Sequence, residues 1–581
     1  MMETMAGGFA GKTLFVDLTR GETWATPQPL EEAPVFIGGG GFNAKLALEL
    51  IPPRIEPLSP KNAIIIGAGP LVGTTLMSSP KTVLTTKGPL TGTILSTPAG
   101  HFGPTLKRAG FDQLVIKGRA PKPVYLSIEN EKVQICPAAT LWGKDLLQTT
   151  DELWQAHPHT TIACIGQAGE NQVVFSNILI NKEATWCRGG PGAVMGSKNL
   201  KAIVVRGSGK VRVAHQEKFD ALAKKCYATY QTGPNLGDWR KLGVFIAWDS
   251  FLEIGAFGHD YYRSLYPKEE MTKTYGPEAY LKSIKKGSYA CPSCPMACKQ
   301  VIGIQKGEQA GFSIRSSCPF AGTESFGTRG EVGSMENVAK GIEMGNRYGI
   351  DNGTLLGMLD YLIDLYKNKK ISIQDCRGFT PRVGFEAVRE FMQLVVERKG
   401  LGEIAADGWH TLIDQIGGGN YQDAVVIKGM EPSADLRAYL STESFGKLTG
   451  HRGAHANRAL SITQVPGRSP DTLKRYGKRI CVSDLSMDRV FSGPQGYSIP
   501  RLLKWVEDYN TMLTYLGLCN RAPISRVFDT ETCAQLYDAA TGINLKPEEL
   551  LRAGERIWNL EKLLMYGKAF PERMICLRKD G

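Results

Sequence analysis

The chain has 581 residues, 42% of them hydrophobic and 22% charged, which is enough to bury several cores; length alone implies about three or four domains. Met1–Thr13 has no basic start leading into a sustained apolar run, and Ala63–Ile66 is far too short to cross a bilayer, so neither a signal peptide nor a membrane span is expected. The net charge of +12 comes without a basic block, since Lys282 with Lys285 and Lys286, or Lys367 with Lys369 and Lys370, read as brief solvated clusters. It favours an acidic redox partner or an anionic cofactor over nucleic acid. Thirteen cysteines in a large chain of this kind favour metal ligation or buried thiols over disulfides, and with them a cytoplasmic location.

From Lys12 to Val205 the pattern is of short strands separated by turn residues: Lys12–Leu18, Asn62–Ile66, Thr82–Thr86, Gln113–Lys117, Val124–Ile128, Val173–Asn177 and Ala202–Val205. After Gly207 it changes to helical periodicity in His215–Tyr230, Met335–Tyr348, Thr354–Tyr366, Val383–Val396, Arg501–Leu516 and Pro547–Leu564. The class is therefore α+β, with a mainly β domain over 1–210 and two mainly helical domains over 211–420 and 421–581. No fixed-period repeat or low-complexity linker stands out, so the domains are expected to share interfaces.

Two glycine-rich segments lie in the first domain. Gly67-Ala-Gly69-Pro-Leu-Val-Gly73 follows a strand but misses the GxGxxG spacing and leads into Thr74-Thr75 rather than a helix, which argues against a dinucleotide site. Arg188-Gly189-Gly190-Pro191-Gly192 through Gly196-Ser197-Lys198 lacks Walker A spacing. Its exposed amides and flanking cations still suit a phosphate-bearing cofactor, against the plainer reading of a structural glycine turn.

The strongest single signal is Cys291-Pro-Ser-Cys294-Pro-Met-Ala-Cys298, where Pro292 and Pro295 keep the run out of regular helix so that three thiolates can converge from one loop. An iron–sulfur cubane needs a fourth soft ligand, which can come from far along the chain. Cys519 is the best candidate, because Gly517 stops the preceding helix just before it; Cys318, Cys481 and Cys187 compete, and structural zinc is the plainer alternative for such a run. Cys136, Cys164, Cys226, Cys376, Cys533 and Cys576 have no ligand spacing and read as buried small hydrophobes.

Taken together these segments resemble the tungsten-containing aldehyde:ferredoxin oxidoreductase family through nearly the whole chain. The likeness is carried by Gly38–Gly41, Lys87-Gly88-Pro89-Leu90-Thr91-Gly92, His101-Phe102-Gly103-Pro104, Ile165–Asn171, Arg188–Lys198, the cysteine triad and Leu516-Gly517-Leu518-Cys519. The resemblance implies a β domain cradling two pterins that ligate tungsten through dithiolenes, with helical domains closing over it and Mg2+ as a further implied ion between the pterin phosphates. It implies a 4Fe-4S cluster on Cys291, Cys294, Cys298 and Cys519. Pterin and phosphate contacts are implied at Lys81, Ser96, Thr97, Gly100, Arg188, Gly189, Gly190, Gly192, Lys198, Asp351 and Leu518. His455, in Arg452-Gly453-Ala454-His455, matches a histidine near the tungsten, and Glu324 competes with Glu331 for an active-site glutamate.

The chain departs from the family pattern where aspartates open two DxxGL-type repeats, since Asn346 and Thr514 stand there, each keeping a hydrogen-bonding group without the carboxylate. No ExxH motif for a dimer-bridging iron is found where the family places one. The implied activity is oxidation of a small aldehyde to a carboxylic acid, with electrons relayed through the cluster to ferredoxin or to iron–sulfur redox subunits of a complex. Two alternatives stay open. One is the tungsten subunit of a benzoyl-CoA-reductase-like complex acting on an aromatic acyl-CoA, for which His259 and Cys318 are the hints. The other is an electron-transfer subunit that retained the cluster without tungsten.

Overall fold

The computed structural model describes residues 7–304, 310–433, 439–455 and 458–565. Cys576 lies outside them.

The β domain is built from two six-stranded sheets. The first contains β1 (Lys12–Asp17), β2 (Glu22–Pro27), β3 (Ile64–Ala68), β4 (Thr82–Lys87), β5 (Ile94–Ala99) and β6 (Gln113–Lys117), in the order β2-β1-β6-β3-β4-β5. The second contains β7 (Val124–Glu129), β8 (Lys132–Pro137), β9 (Thr161–Cys164), β10 (Ile178–Ile180), β11 (Ala184–Trp186) and β12 (Leu200–Arg206), in the order β11-β10-β9-β12-β7-β8. Read from opposite ends the two orders are the same, and in each sheet one pair alone is parallel, β1 with β6 and β7 with β12. Each half places a short helix opened by Gly-Pro between its fifth and sixth strands, Phe102–Arg108 with Gly103-Pro104 and Pro191–Ser197 after Gly190. The domain is thus a structural duplication. The sequence shows no repeat because little beyond the Gly-Pro pair is common to the two halves.

Buried Ile64, Ile66, Leu84 and Leu114 of one sheet share a core with Ile178, Ile203 and Trp186 of the other. Trp186 meets the Phe102 ring edge-on at 5.2 Å and donates its indole N–H to the Thr82 carbonyl at 3.2 Å, so its polar end is satisfied inside the core. The expected strand over Val173–Asn177 does not form. Val173 and Phe175 plug the helical core instead, and the Asn177 N–H donates to the Gly349 carbonyl at 2.7 Å.

Beyond the β domain the expected helices form as Gln216–Gln231, Met335–Tyr348, Asn352–Lys367, Phe385–Glu397, Ile499–Leu516 and Pro547–Met565. Their ends are set by local chemistry: Ser334 and Asp351 cap N-termini by accepting from Asn337 and Gly353 N–H groups, and Gly517, at φ 102°, ends the Ile499–Leu516 helix. Pro547–Met565 crosses Ile499–Leu516 at Gly554, where a Cβ would stand 2.6 Å from the Asp508 carbonyl. Gln216–Gln231 packs through Phe219 and Cys226 into the same core as Ile499–Leu516 and Thr530–Thr541. A three-stranded sheet of Lys285–Tyr289, Lys299–Gly303 and Ser313–Ser316 interrupts the helical middle, and its first hairpin presents the cysteine triad.

Candidate functional site

The triad loop joins two hairpin strands through Ser293 and Ala297, whose φ values of 58° and 47° fold it back on itself. Ser78 ties this loop to the C-terminal region. Its N–H donates to the Ser293 carbonyl at 2.8 Å, its Oγ donates to Cys294 Sγ at 3.2 Å, and its carbonyl accepts the Cys519 N–H at 3.1 Å. Lys81 is fixed alongside, its N–H donating to the Gly517 carbonyl at 2.9 Å. Three segments distant in sequence therefore meet at one place.

The thiols there act on one another. Burial, with Cys519 and Cys291 nearby, pushes the Cys294 thiol up to about 12, and Cys298 is raised by burial and by Cys519 and Cys291 against the pull of Arg521 and Lys81. Such crowding opposes free thiolates and is relieved when each is bonded to a metal centre. Among the described residues no three Cys, His, Asp or Glu side chains are placed to share one ion. A cubane does not require that, since each of its thiolates binds a different iron. Of the competing ligands, Cys318 hydrogen-bonds Arg521 beside this group, whereas Cys187 sits near Asp351 and Arg452, and Cys481 near Glu548.

Adjoining the thiols is a cavity of about 910 Å3, at the upper end of the roughly 300–1,000 Å3 usual for small-molecule sites. Lys81 and Arg188 reach it from the β domain, Glu324, Asn346 and Asp351 from the middle helices, and His455 and Cys519 from the C-terminal region. Arg188 is held by Glu431, donating to Oε1 at 2.5 Å and to the carbonyl at 2.9 Å, while its Nε stands 3.7 Å from Asp351. Glu431 also accepts from Trp409 Nε1 at 3.0 Å.

Glu324 lies in a π-helical turn, Thr323–Arg329, a distortion that recurs at functional sites because it re-aims side chains. Burial raises its carboxyl to about 7 despite Arg329, Lys447 and Arg188. His455 is driven the other way, well below the ordinary histidine value, by burial and by Arg452, Arg188 and Lys447. It is therefore a neutral imidazole, able to accept a proton and poorly able to hold one. His455 Nδ1, Arg188 Nε and Asn177 Oδ1 are buried without hydrogen-bond partners at this wall, as are His451 Nδ1 and Arg452 Nε beside Ser96 and Thr514 in a smaller adjoining pocket. Orphaned polar atoms of this kind suit a cofactor rich in hydrogen-bonding edges and negative charge.

The sequence matches the family model "Aldehyde ferredoxin oxidoreductase, N-terminal domain" over residues 13–207 and "Aldehyde ferredoxin oxidoreductase, domains 2 & 3" over residues 221–574. This chain belongs to the aldehyde ferredoxin oxidoreductase family. It is 30% identical to the tungsten-containing aldehyde ferredoxin oxidoreductase of Pyrococcus abyssi over 96% of its own length and 88% of that protein. It is 28% identical over 69% of its length to a Pyrococcus furiosus protein described as the WOR-like subunit of an aliphatic sulfonate oxidoreductase, covering 66% of that protein. In fold it resembles a chain of the active site complex BamBC of benzoyl coenzyme A reductase, solved with 1,5-dienoyl-CoA, at a TM-score of 0.84, 24% identity and coverage of 97% and 90%. The chain is accordingly an oxidoreductase of a family of tungsten enzymes, and tungstopterin is the cofactor that membership implies. Among the described residues no helix is long and apolar enough to cross a membrane.

Within this aldehyde ferredoxin oxidoreductase fold not every expected contact reaches the cavity. Lys198 is buried against the Asn62 carbonyl and the carbonyls of Gly118 and Pro60, at 3.2 and 3.4 Å, and burial pulls its ammonium down to about 7, so it ties the β core together. Gly190 and Gly192 are required by packing, since a Cβ would stand 1.9 Å from the Val174 carbonyl and 2.7 Å from that of Asn177. Gly189, at φ 89°, meets only the Leu95 side chain. His259 bonds Ser264 Oγ at 3.2 Å, faces Glu331 at 3.3 Å and does not line the large cavity. Gly100 faces the cysteine triad, where its Cβ would meet Cys291 Sγ at 3.1 Å. Thr97 bonds the Cys187 carbonyl at 3.2 Å and accepts from Arg452 at 2.8 Å; Leu518 is buried behind the wall. Arg452, Glu431, Lys447 and Arg329 escaped the sequence reading because none lies in a spaced motif. For Arg452, its place three residues before His455 was the available signal.

Proposed function

We propose that this chain oxidises an aldehyde to the carboxylic acid, R–CHO + H2O giving R–COOH with two protons and two electrons, and passes the electrons singly through a 4Fe-4S cluster to a ferredoxin-like acceptor. The observation that carries this is the grouping of Cys291, Cys294, Cys298 and Cys519, of which Cys519 lines a large, partly enclosed cavity that Glu324 also lines. A tungsten bis-pterin bound there would supply the two-electron chemistry.

The residues of the chain supply the rest. Lys81, Arg188 and Asn346 would bind and orient the anionic cofactor, and Ser96 and Thr514 in the smaller adjoining pocket would add hydrogen-bonding groups. Glu324, poised near pH 7, takes the proton released as water adds to the carbonyl. His455 offers Nδ1 or Nε2 as a neutral hydrogen-bond partner in the same step. The apolar wall of Phe251, Phe320 and Ile342 excludes bulk water.

Anaerobic purification followed by metal analysis and a viologen-linked aldehyde assay tests this reading. One tungsten and about four irons per chain with aldehyde turnover support it. Iron without tungsten supports an electron-transfer subunit, and activity confined to ring reduction of an aromatic acyl-CoA with added redox subunits supports the reductase-complex alternative. The second of these gains weight from Cys318, which lines the cavity.

A further inference from the structure

The large cavity carries more positive charge than the cofactor contacts use. Arg188 is paired with Glu431, Arg315 with Glu183, and Arg521 faces the thiols of Cys298, Cys318 and Cys519. Arg468 and Arg479, at the two ends of the helix Pro470–Arg479, and Arg526 from a second stretch line the same cavity, and among the described residues none of them has a carboxylate partner. Arg468 Nε reaches only the Ile462 carbonyl at 3.4 Å, and Arg526 Nη2 only that of Thr229 at 3.4 Å. Arg479 lies over the Tyr476 ring at 5.0 Å, and its Nε is buried with no partner. Arg468 is exposed and Arg526 half-buried, so the cost of an unmatched donor falls on the buried Arg479 Nε, and an oxyanion with several acceptor oxygens matches guanidinium fork geometry. The same cavity offers Trp239, Val244, Phe251 and Tyr509, an apolar and aromatic lining.

Resting on the proposed aldehyde oxidation, we infer that Arg468, Arg479 and Arg526 form a subsite for an anionic group carried by the substrate, so that the preferred aldehyde has an apolar body ending in a phosphate, sulfonate or carboxylate. The three guanidiniums bind that group and the aromatic lining packs the body, leaving the aldehyde carbon to Glu324 and His455.

Two measurements on the holoenzyme separate this subsite from the reading it rests on. In the first, benzaldehyde, 4-formylbenzoate and 4-formylphenyl phosphate are compared as substrates with a viologen acceptor. The anionic aldehydes should show kcat/KM about 10- to 100-fold above benzaldehyde, and in Arg468→Gln/Arg479→Gln that ratio should fall towards one, about tenfold being lost per charge-assisted contact. In the second, phenyl phosphate and inorganic phosphate are titrated calorimetrically, with no turnover needed. Phenyl phosphate should bind at least tenfold more tightly than inorganic phosphate and lose that binding in the double variant. If the double variant fails to fold, Arg526→Gln alone should show a partial loss of both the ratio and the binding. If no aldehyde is oxidised while phenyl phosphate still binds through Arg468 and Arg479, the aldehyde reading falls and the subsite stands. Equal kcat/KM for all three aldehydes, unchanged phenyl phosphate binding in the folded variants, or equal affinity for inorganic phosphate overturns the subsite.

Discussion

In the first β-half the loop entering the Gly-Pro helix carries His101, and in the second the matching loop carries Arg188; both adopt positive φ, 77° and 65°. The backbone frame is shared and the surroundings are not. His101 Nε2 accepts from Lys299 Nζ at 3.2 Å and its Nδ1 faces Glu183 at 3.1 Å, on the side where Lys299 bonds the Cys291 thiol. Arg188 points instead to Glu431 and Asp351 at the cavity. Duplication thus placed two equivalent loops, and divergence gave one to the cysteine end and the other to the cavity end. A neutral ring suits the first, where cations already crowd, and a fixed cation suits the second, where the Glu431 and Asp351 carboxylates meet.

The sharpest way to break the comparison is at the cysteine end. Cys519→Ala should lower the iron content and bleach the broad visible absorption, because the remaining triad cannot complete a cubane. Unchanged iron and spectrum would remove Cys519 from the site. The cavity end is tested by Glu324→Gln, which should leave iron and tungsten bound while turnover falls about 100- to 10,000-fold, the range for losing a positioned acid or base. A base must be ionised to act, so the wild-type rate should rise with pH through about 7, the value to which burial lifts Glu324, and the variant should lack that limb. A fall equally large in His455→Ala with a normal pH profile in Glu324→Gln would reverse their roles. Arg188→Met then leaves Glu431 and Asp351 buried without their cation; a loss of about 3–5 kcal/mol in chemical denaturation, together with reduced tungsten, is expected.

The helices were legible because Met335–Tyr348 and Ile499–Leu516 carry their apolar faces, caps and terminal glycines in local sequence, and the non-helical loop of the cysteine triad because Pro292 and Pro295 are local too. What escaped was non-local. Strands as short as Ile178–Ile180 and Ala184–Trp186 have no room for an alternating pattern, and the two-sheet duplication rests on pairing order, which no single segment reveals. Lys198 looked like a phosphate contact because a cation beside glycines suits an anion, and only the fold shows three carbonyls already occupying it. Glu324 was named from the resemblance alone. Its raised pKa comes from burial, and its placement from a π-helical turn that sequence pattern does not mark.

The smallest effect, and the one that most directly compares the two loops, is expected at His101. Burial, and then Lys299, Lys81 and Arg315, lower its pKa to about 3 from an ordinary value near 6.5. Between those values the unfolded chain binds a proton that the folded chain does not, so stability falls as pH drops through 6.5 and is regained as pH rises. His101→Gln removes that linkage while keeping one donor for Glu183 and one acceptor for Lys299. At pH 7.5 the variant should lose only about 1 kcal/mol, the worth of one imperfectly replaced hydrogen bond. Between pH 7.5 and 6.0 the wild type should lose stability more steeply than the variant. A parallel decline in both proteins would show that His101 is protonated in the folded state, and the neutral ring assigned to the cysteine end would have to be given up. A loss as large as that of Arg188→Met would show instead that the two loops still carry the same structural load.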